Sequence, residues 1–93
     1  MPAATRLGDL SAGHCFNPRG NSSASENVII NNKGAHRVSD TWPSHKCGKS
    51  SHPSVTIGGS ATVFINNLAA ARIGDPLDCG DVIAQGSENV MVG

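Results

Sequence analysis

Short runs of apolar and small residues alternate with polar turn-forming residues along the chain, and two of these runs are near copies. Residues 28–40 read VIINNKGAHRVSD and residues 63–75 read VFINNLAAARIGD, 35 residues further on. In each copy an Asn-Asn pair separates a β-branched run from a run rich in small residues. Asparagine tolerates the left-handed backbone conformation better than most residues, so each copy predicts a β-hairpin that turns at Asn-Asn. Neither copy shows a helical period.

The two ends of the chain carry the halves of a third copy. Residues 3–9, AATRLGD, match the second half at 69–75, AAARIGD, and residues 87–90, SENV, repeat residues 25–28 letter for letter. Such a chain can close on itself by pairing its last strand with its first, which removes exposed sheet edges. We therefore expect an all-β fold: one domain over residues 1–93, built of β-hairpin repeats with internal pseudo-threefold symmetry. An ordinary small barrel or sandwich is the alternative.

Composition excludes several classes of function. The net charge is zero and the sequence pI is about 6.9, which provides no basic face for nucleic acid or an anionic membrane. The N-terminus lacks the basic start and apolar stretch of a secretory signal, so we expect synthesis in the cytoplasm without the general secretory route. Aromatic residues make up 3% of the chain. The core should therefore be thin and should need a disulfide, a metal or a partner.

Histidine and cysteine residues concentrate in three segments that connect the repeats, residues 10–24, 41–59 and 76–86. In a threefold arrangement these loops converge at one end of the axis. Four His and Cys ligands suit a closed, structural Zn²⁺ site, whose binding free energy would stabilise a thin-cored fold. Six candidates are available, and we choose a set that draws at least one ligand from each loop and so joins all three units: His14, His45, His52 and Cys79.

Other interpretations of these residues stay open. Cys15 and Cys47 could pair, remain free or replace one of the histidines. The three loop histidines could be solvated, and Cys79 could be a small buried apolar residue. His36 aligns with scaffold positions of the repeat, which predicts a surface or packing residue. The recurring arginine and aspartate positions are expected to form scaffold ion pairs or turn caps: Arg6, Arg37, Arg72, Asp9, Asp40 and Asp75.

The stretches PAATRLGD, AHRVSD and AAARIGD, together with GSATVFINN and GSENVMVG, resemble the PAAR-repeat proteins over essentially the whole chain. The resemblance implies a small cone-shaped β domain that sharpens the membrane-piercing spike of type VI secretion systems and contractile phage tails. It also implies a zinc ion near the tip, with His14, His45, His52 and Cys79 at the matching positions. Two departures affect turns: Asn-Asn replaces the usual Asn-Gly, and Ser39-Asp40 replaces Gly-Asp.

A structural role follows from this resemblance. One copy of the chain, monomeric in isolation, is expected to cap the blunt end of a trimeric β-helical spike protein of the VgrG type, docking through residues near Val28, Val63 and Val90. The cap would carry one zinc, contact membrane transiently during piercing and travel with effector proteins. The repeats occupy residues 1–93, so no effector domain is expected within them. The alternative is a small zinc-dependent hydrolase, but it needs an open metal position and a general base. A zinc-finger nucleic-acid binder lacks the required basic charge.

Overall fold

The computed structural model describes residues 1–13, 17–47 and 50–93, and the side chains of all of these except 45–47 and 50–52. Its strands form three two-stranded antiparallel sheets. The described residues include no helix, and so none long and apolar enough to cross a bilayer. The predicted all-β class is confirmed. The strands are β1 Ile29–Ile30, β2 Lys33–Gly34, β3 Thr41–Cys47, β4 Ser50–Val55, β5 Phe64–Ile65 and β6 Leu68–Ala69.

Two short hairpins turn where the sequence predicts. Strand β1 pairs with β2, and β5 pairs with β6. Both asparagines of each turn have positive φ, 53° and 66° at Asn31-Asn32 and 53° and 67° at Asn66-Asn67. Two successive left-handed residues give the type I′ turn, whose twist matches that of the flanking strands. The Asn-Asn pairs therefore serve the purpose of the more usual Asn-Gly.

The first and last segments of the chain pair in the same way. Ala3 forms an antiparallel bridge with Met91, and the Ala4 N–H donates to the Val90 carbonyl at 3.0 Å. The corresponding bonds of the hairpins join Ala35 to Val28 and Ala70 to Val63, at 2.9 and 3.0 Å. These three strand pairs form what we call the hairpin layer. Its core is small, as the composition predicts, and contains Ala4, Ala35, Ile65, Ala70 and Val92.

A ring of three backbone hydrogen bonds joins the strand pairs. The Thr5 N–H donates to the Ala71 carbonyl, the Ala71 N–H to the His36 carbonyl, and the His36 N–H to the Thr5 carbonyl, each at 3.0 Å. All three residues are buried, and His36 is 0% exposed. Of the two roles predicted for His36, the surface role is therefore wrong and the packing role is right.

The connecting segments form a second closed arrangement, which we call the loop layer. Bridges and backbone hydrogen bonds join each segment to the next and the last to the first, as shown by Ser22 with Thr41, Thr56 with Leu77, and Ile83 with Ser11. Two more bridges lie within segments, Leu10 with Gly20 and Pro76 with Val82. The strand pair β3–β4 completes the circuit. A second core lies inside, formed by Trp42, Ala71, Leu77 and Ile83.

The second connecting segment departs from the prediction. Residues 41–59 were expected to be a loop, but most of them form β3 and β4, the longest hairpin of the described chain. Polar residues and two prolines conceal the strand pattern, and proline is normally poorly compatible with a ladder because it lacks an N–H. The register shifts between Trp42 and His45, where Pro43 stands. Trp42, buried in the second core, fixes which face of β3 is internal.

Three similar turns connect the two layers. In each, the aspartate N–H donates to the arginine carbonyl three residues earlier, at 3.0 to 3.1 Å. The third residue has positive φ: 84° at Gly8, 78° at Ser39 and 91° at Gly74. The arginine Nε and Nη2 atoms donate to both carboxylate oxygens of the aspartate, and this raises the arginine pKa. The predicted scaffold ion pairs are thus confirmed: Arg6–Asp9, Arg37–Asp40 and Arg72–Asp75.

Candidate metal centre

Cys79, the predicted ligand of the third segment, lies in a tight turn of the loop layer. The Gly80 N–H donates to the Leu77 carbonyl at 3.2 Å, and the Leu77 N–H donates to the Asp81 carbonyl at 2.9 Å. Gly80 has a φ of 95°, which favours glycine at this position. The thiol is free and half-buried, and it packs against the second core. Cys79 is therefore held in a fixed place with its sulfur available.

The Cys79 turn is joined to the end of β4. The Asp78 N–H donates to the Val55 carbonyl at 3.0 Å, and the Val55 N–H donates to Asp78 Oδ1 at 3.1 Å. Val55 is three residues from His52. This pair of hydrogen bonds therefore fixes the base of the hairpin that carries two predicted ligands against the turn that carries a third.

The same turn is joined to the first connecting segment. Asp81 Oδ2 accepts the Gly13 N–H at 3.2 Å, and the Ala12 N–H donates to the Val82 carbonyl at 2.9 Å. Gly13 immediately precedes His14 in the chain. The turn that holds Cys79 is therefore bonded to both other segments from which metal ligands were predicted.

The two predicted histidine ligands of the hairpin face each other in the strand register. His45 on β3 and His52 on β4 are directly paired positions, and such positions are about 5 Å apart in antiparallel sheets. Cys47 pairs with Ser50. His14 and Cys15 lie outside the described residues.

The described side chains contain no group of three or more His, Cys, Asp or Glu arranged to hold a metal. Three of the four predicted ligand side chains, however, are not among those described. The set of His14, His45, His52 and Cys79 stays a prediction.

Strand β4 also carries one buried polar group that lacks a hydrogen-bond partner among the described residues. Ser54, two residues beyond His52, is 2% exposed, and its hydroxyl has no hydrogen-bond partner among the described residues. A buried hydroxyl without a partner is costly, typically by about 1 to 3 kcal/mol. A polar or ionic neighbour at this point of β4 would offset that cost, which agrees with the chemistry of a His and Cys metal site.

His36 belongs to a buried network that sequence reasoning missed. Its Nδ1 lies 2.8 Å from the Ser23 carbonyl and its Nε2 lies 2.8 Å from Thr56 Oγ1, which also accepts the Trp42 indole N–H at 2.9 Å. A carbonyl can only accept, so Nδ1 carries the proton and Nε2 accepts from the Thr56 hydroxyl. The imidazole also meets the Trp42 ring edge to face, with centroids 5.4 Å apart. The network joins the hydrogen-bonded ring to the base of β3–β4.

Three exposed apolar side chains stand at matching positions of the hairpin layer. Ile29, Phe64 and Met91 are 56%, 61% and 47% exposed. The valines that precede them, which the sequence suggested as a docking face, are less exposed. Strand alternation could have identified the more exposed set, because the next residue in each copy packs toward the first core. We call Ile29, Phe64 and Met91 the apolar triad.

Comparison with known proteins agrees with this geometry. Three matching strand pairs in an all-β chain define a small repeat scaffold. The chain belongs to the PAAR motif family, whose model it matches over residues 21–85. The chain is 35% identical over 73 residues to the NAD(P)(+) glycohydrolase toxin Tse6 of Pseudomonas aeruginosa. It is equally similar to the (p)ppApp synthetase toxin Tas1 from another strain of that species. Each alignment covers 72% of this chain but 17% of the relative, so the chain spans about a sixth of the length of these relatives.

Proposed function

We propose that the protein is a structural tip that caps the trimeric β-helical spike of a type VI secretion system or a contractile phage tail. Membership of the PAAR motif family supports this role. The apolar triad is the observation that carries it, because three similar apolar side chains at matching positions suit a partner with three identical surfaces. The two cytoplasmically made components would meet before the machine drives them outward through a membrane.

The stoichiometry follows from the repeated contacts. A homotrimer ends in three identical surfaces around one axis. One copy of this chain offers three similar strand pairs, so one copy on three spike subunits satisfies all of them at once. An exposed apolar side chain repeated in each strand pair suits such a contact, because docking would remove all three from water. We therefore propose one copy per spike trimer and a monomer in isolation.

Effector proteins are proposed as further partners. The relatives are toxins by name, and the matched region is a small part of each of them. Since this region accompanies a toxin activity within those relatives, we propose that here it carries separate effectors. The tip itself is proposed to be structural, with no catalytic residues.

A single structural zinc is proposed for the loop layer. His14, His45, His52 and Cys79 would hold it, and the bound ion would contribute its binding free energy to folding. Three observations support the fit: the paired register of His45 and His52, the free thiol in its clamped turn, and the unpartnered hydroxyl inside the layer. A zinc hydrolase would need an open coordination position, which a set of four ligands does not leave.

Docking is tested with a trimeric spike protein encoded near this chain. Native mass spectrometry of the mixture should show one copy of the chain on three spike subunits. Phe64→Glu should weaken binding about tenfold to a hundredfold, because an apolar contact of about 1.5 to 3 kcal/mol is replaced by a buried charge. Ala61→Glu is the matched control, since glutamate already occupies the corresponding positions 26 and 88. A dominant three-to-three species, a homotrimer of this chain alone, or equal binding by both variants would refute the docking proposal.

The metal is tested separately. Elemental analysis of protein purified without added metal should give one zinc per chain. A ratio near zero in a protein with an intact fold would refute the zinc site and leave the docking proposal unaffected.

A further inference from the structure

Asp81 differs from the other described buried aspartates. Asp9, Asp40 and Asp75 each form an ion pair with the arginine of their own turn. Asp81 is 2% exposed and makes no ion pair among the described residues. A carboxylate removed from water without a positive partner is unfavourable unless hydrogen bonds or a nearby cation stabilise it. Its position therefore requires an explanation that the scaffold ion pairs do not provide.

The hydrogen bonds of Asp81 join two segments that carry predicted ligands. Oδ1 accepts the Val82 N–H at 2.8 Å, and Oδ2 accepts the Gly13 N–H at 3.2 Å. The Asp81 carbonyl also accepts the Leu77 N–H, which closes the turn around Cys79. One residue thus contacts the backbone immediately before His14 and shapes the turn of Cys79.

We propose that Asp81 is the positioning residue of the metal centre. Its carboxylate holds the segment that leads into His14 at a fixed register against the Cys79 turn, and its negative charge favours a cation inside the loop layer. This inference rests on the proposed zinc site. Groups that orient metal ligands from outside the coordination sphere typically change metal affinity 10- to 100-fold when they are replaced.

The substitution Asp81→Asn isolates this role. The amide keeps one acceptor oxygen and places an NH₂ donor where the other oxygen stood, so either the Val82 or the Gly13 N–H loses its partner. The substitution also removes the negative charge with almost no change of volume. Asp9→Asn is the matched control, because Asp9 is equally buried and its side-chain bonds go to Arg6 of its own turn.

The experiment measures zinc release from the purified full chain to a chromogenic chelator, together with the melting temperature of each variant. Asp81→Asn should release zinc at least about tenfold faster than the wild type. Asp9→Asn should lower the melting temperature while its zinc release stays within about twofold of the wild type. Cobalt-loaded protein gives a second readout, since a shift in the visible absorption of Co²⁺ in Asp81→Asn reports altered ligand geometry.

The outcomes separate this inference from the proposed zinc site. Wild-type protein that binds no zinc refutes both. A different outcome overturns only the role of Asp81. In that outcome the wild type binds zinc, and Asp81→Asn and Asp9→Asn release it at the same rate and lose the same stability. If Asp81→Asn does not fold, Asp81→Glu tests the role instead, because glutamate keeps both acceptor oxygens but on a longer side chain. Release faster than wild type from Asp81→Glu supports the role, and wild-type release overturns it.

Discussion

Replacing Ser39 with glycine should stabilise the protein. Ser39 occupies the third position of its turn with a φ of 78°, while the two matching turns have glycine there. An L-residue in a left-handed conformation is strained because its Cβ approaches the backbone. Ser39 is thus the one strained member of three turns that otherwise share their hydrogen bonds and ion pairs.

The size of the effect follows from two opposing terms. Left-handed backbone costs a residue with a Cβ about 1 to 2 kcal/mol. Glycine loses more conformational entropy on folding, which offsets about 0.4 to 1 kcal/mol. From the midpoints of these two ranges, the net gain for Ser39→Gly should be about 0.8 kcal/mol, or about 3 to 6 °C in melting temperature for a domain of this size.

Reciprocal variants make the comparison strict. A Cβ added at Gly8 or Gly74 would meet no heavy atom within 4 Å, so Gly74→Ser should lose stability through backbone strain alone, by about 1 kcal/mol. Ser39→Ala keeps the Cβ and should change the unfolding free energy by less than about 0.5 kcal/mol. Differential scanning calorimetry and urea titration measure all three. Equal stabilities of Ser39→Gly and Ser39→Ala would refute the assignment of strain.

Two further predictions concern the zinc and the buried histidine. Cys79→Ser should lower the melting temperature and reduce the zinc content, and a chelator should then destabilise it less than wild type; an equal chelator effect would contradict ligation by Cys79. Burial lowers the pKa of His36, and this effect outweighs the hydrogen bond that its Nδ1–H donates to the Ser23 carbonyl, which raises that pKa. On acidification the unfolded chain therefore binds a proton at this imidazole before the folded protein does, near pH 6.5. Below that pH the free energy of unfolding should fall by up to about 1.4 kcal/mol per pH unit. His36→Gln should lack that part of the slope in denaturant titrations, whereas an unchanged slope would contradict it.

Local turn chemistry explains why much of the fold could be predicted. The pairs Asn31-Asn32 and Asn66-Asn67 predict hairpins, because few residues accept two successive left-handed conformations. The recurrence of arginine three residues before aspartate predicts ion pairs because that spacing fits one turn. Repetition then suggests closure, and the described chain ends do pair. Pseudo-threefold symmetry itself remains a prediction that these repeated contacts support.

Residues whose roles depend on distant partners escaped prediction. Asp81 follows an ordinary Cys-Gly pair, and its importance appears only when the fold brings Gly13 to it. His36 aligns with scaffold positions of the repeat, which left a surface role open, yet the closed ring buries it against Trp42. The sequence predicts a loop where β3–β4 forms, because the segment connects two copies of the repeat and its two prolines obscure the strand alternation. For Asp81 and His36, tertiary contacts decided what the local pattern could not.

A single chain with three diverged units resolves a conflict between the two proposed tasks. Docking on a trimer favours three matching surfaces, and the hairpin layer has Ile29, Phe64 and Met91 at corresponding positions. A closed tetrahedral zinc site needs four ligands, whereas a symmetric homotrimer would supply ligands in multiples of three. Fusing the units into one chain lets the connecting segments differ in length and composition. The first and third segments can then supply one ligand each, and the second can supply two. The hairpin layer can thus keep the repeat while the loop layer departs from it.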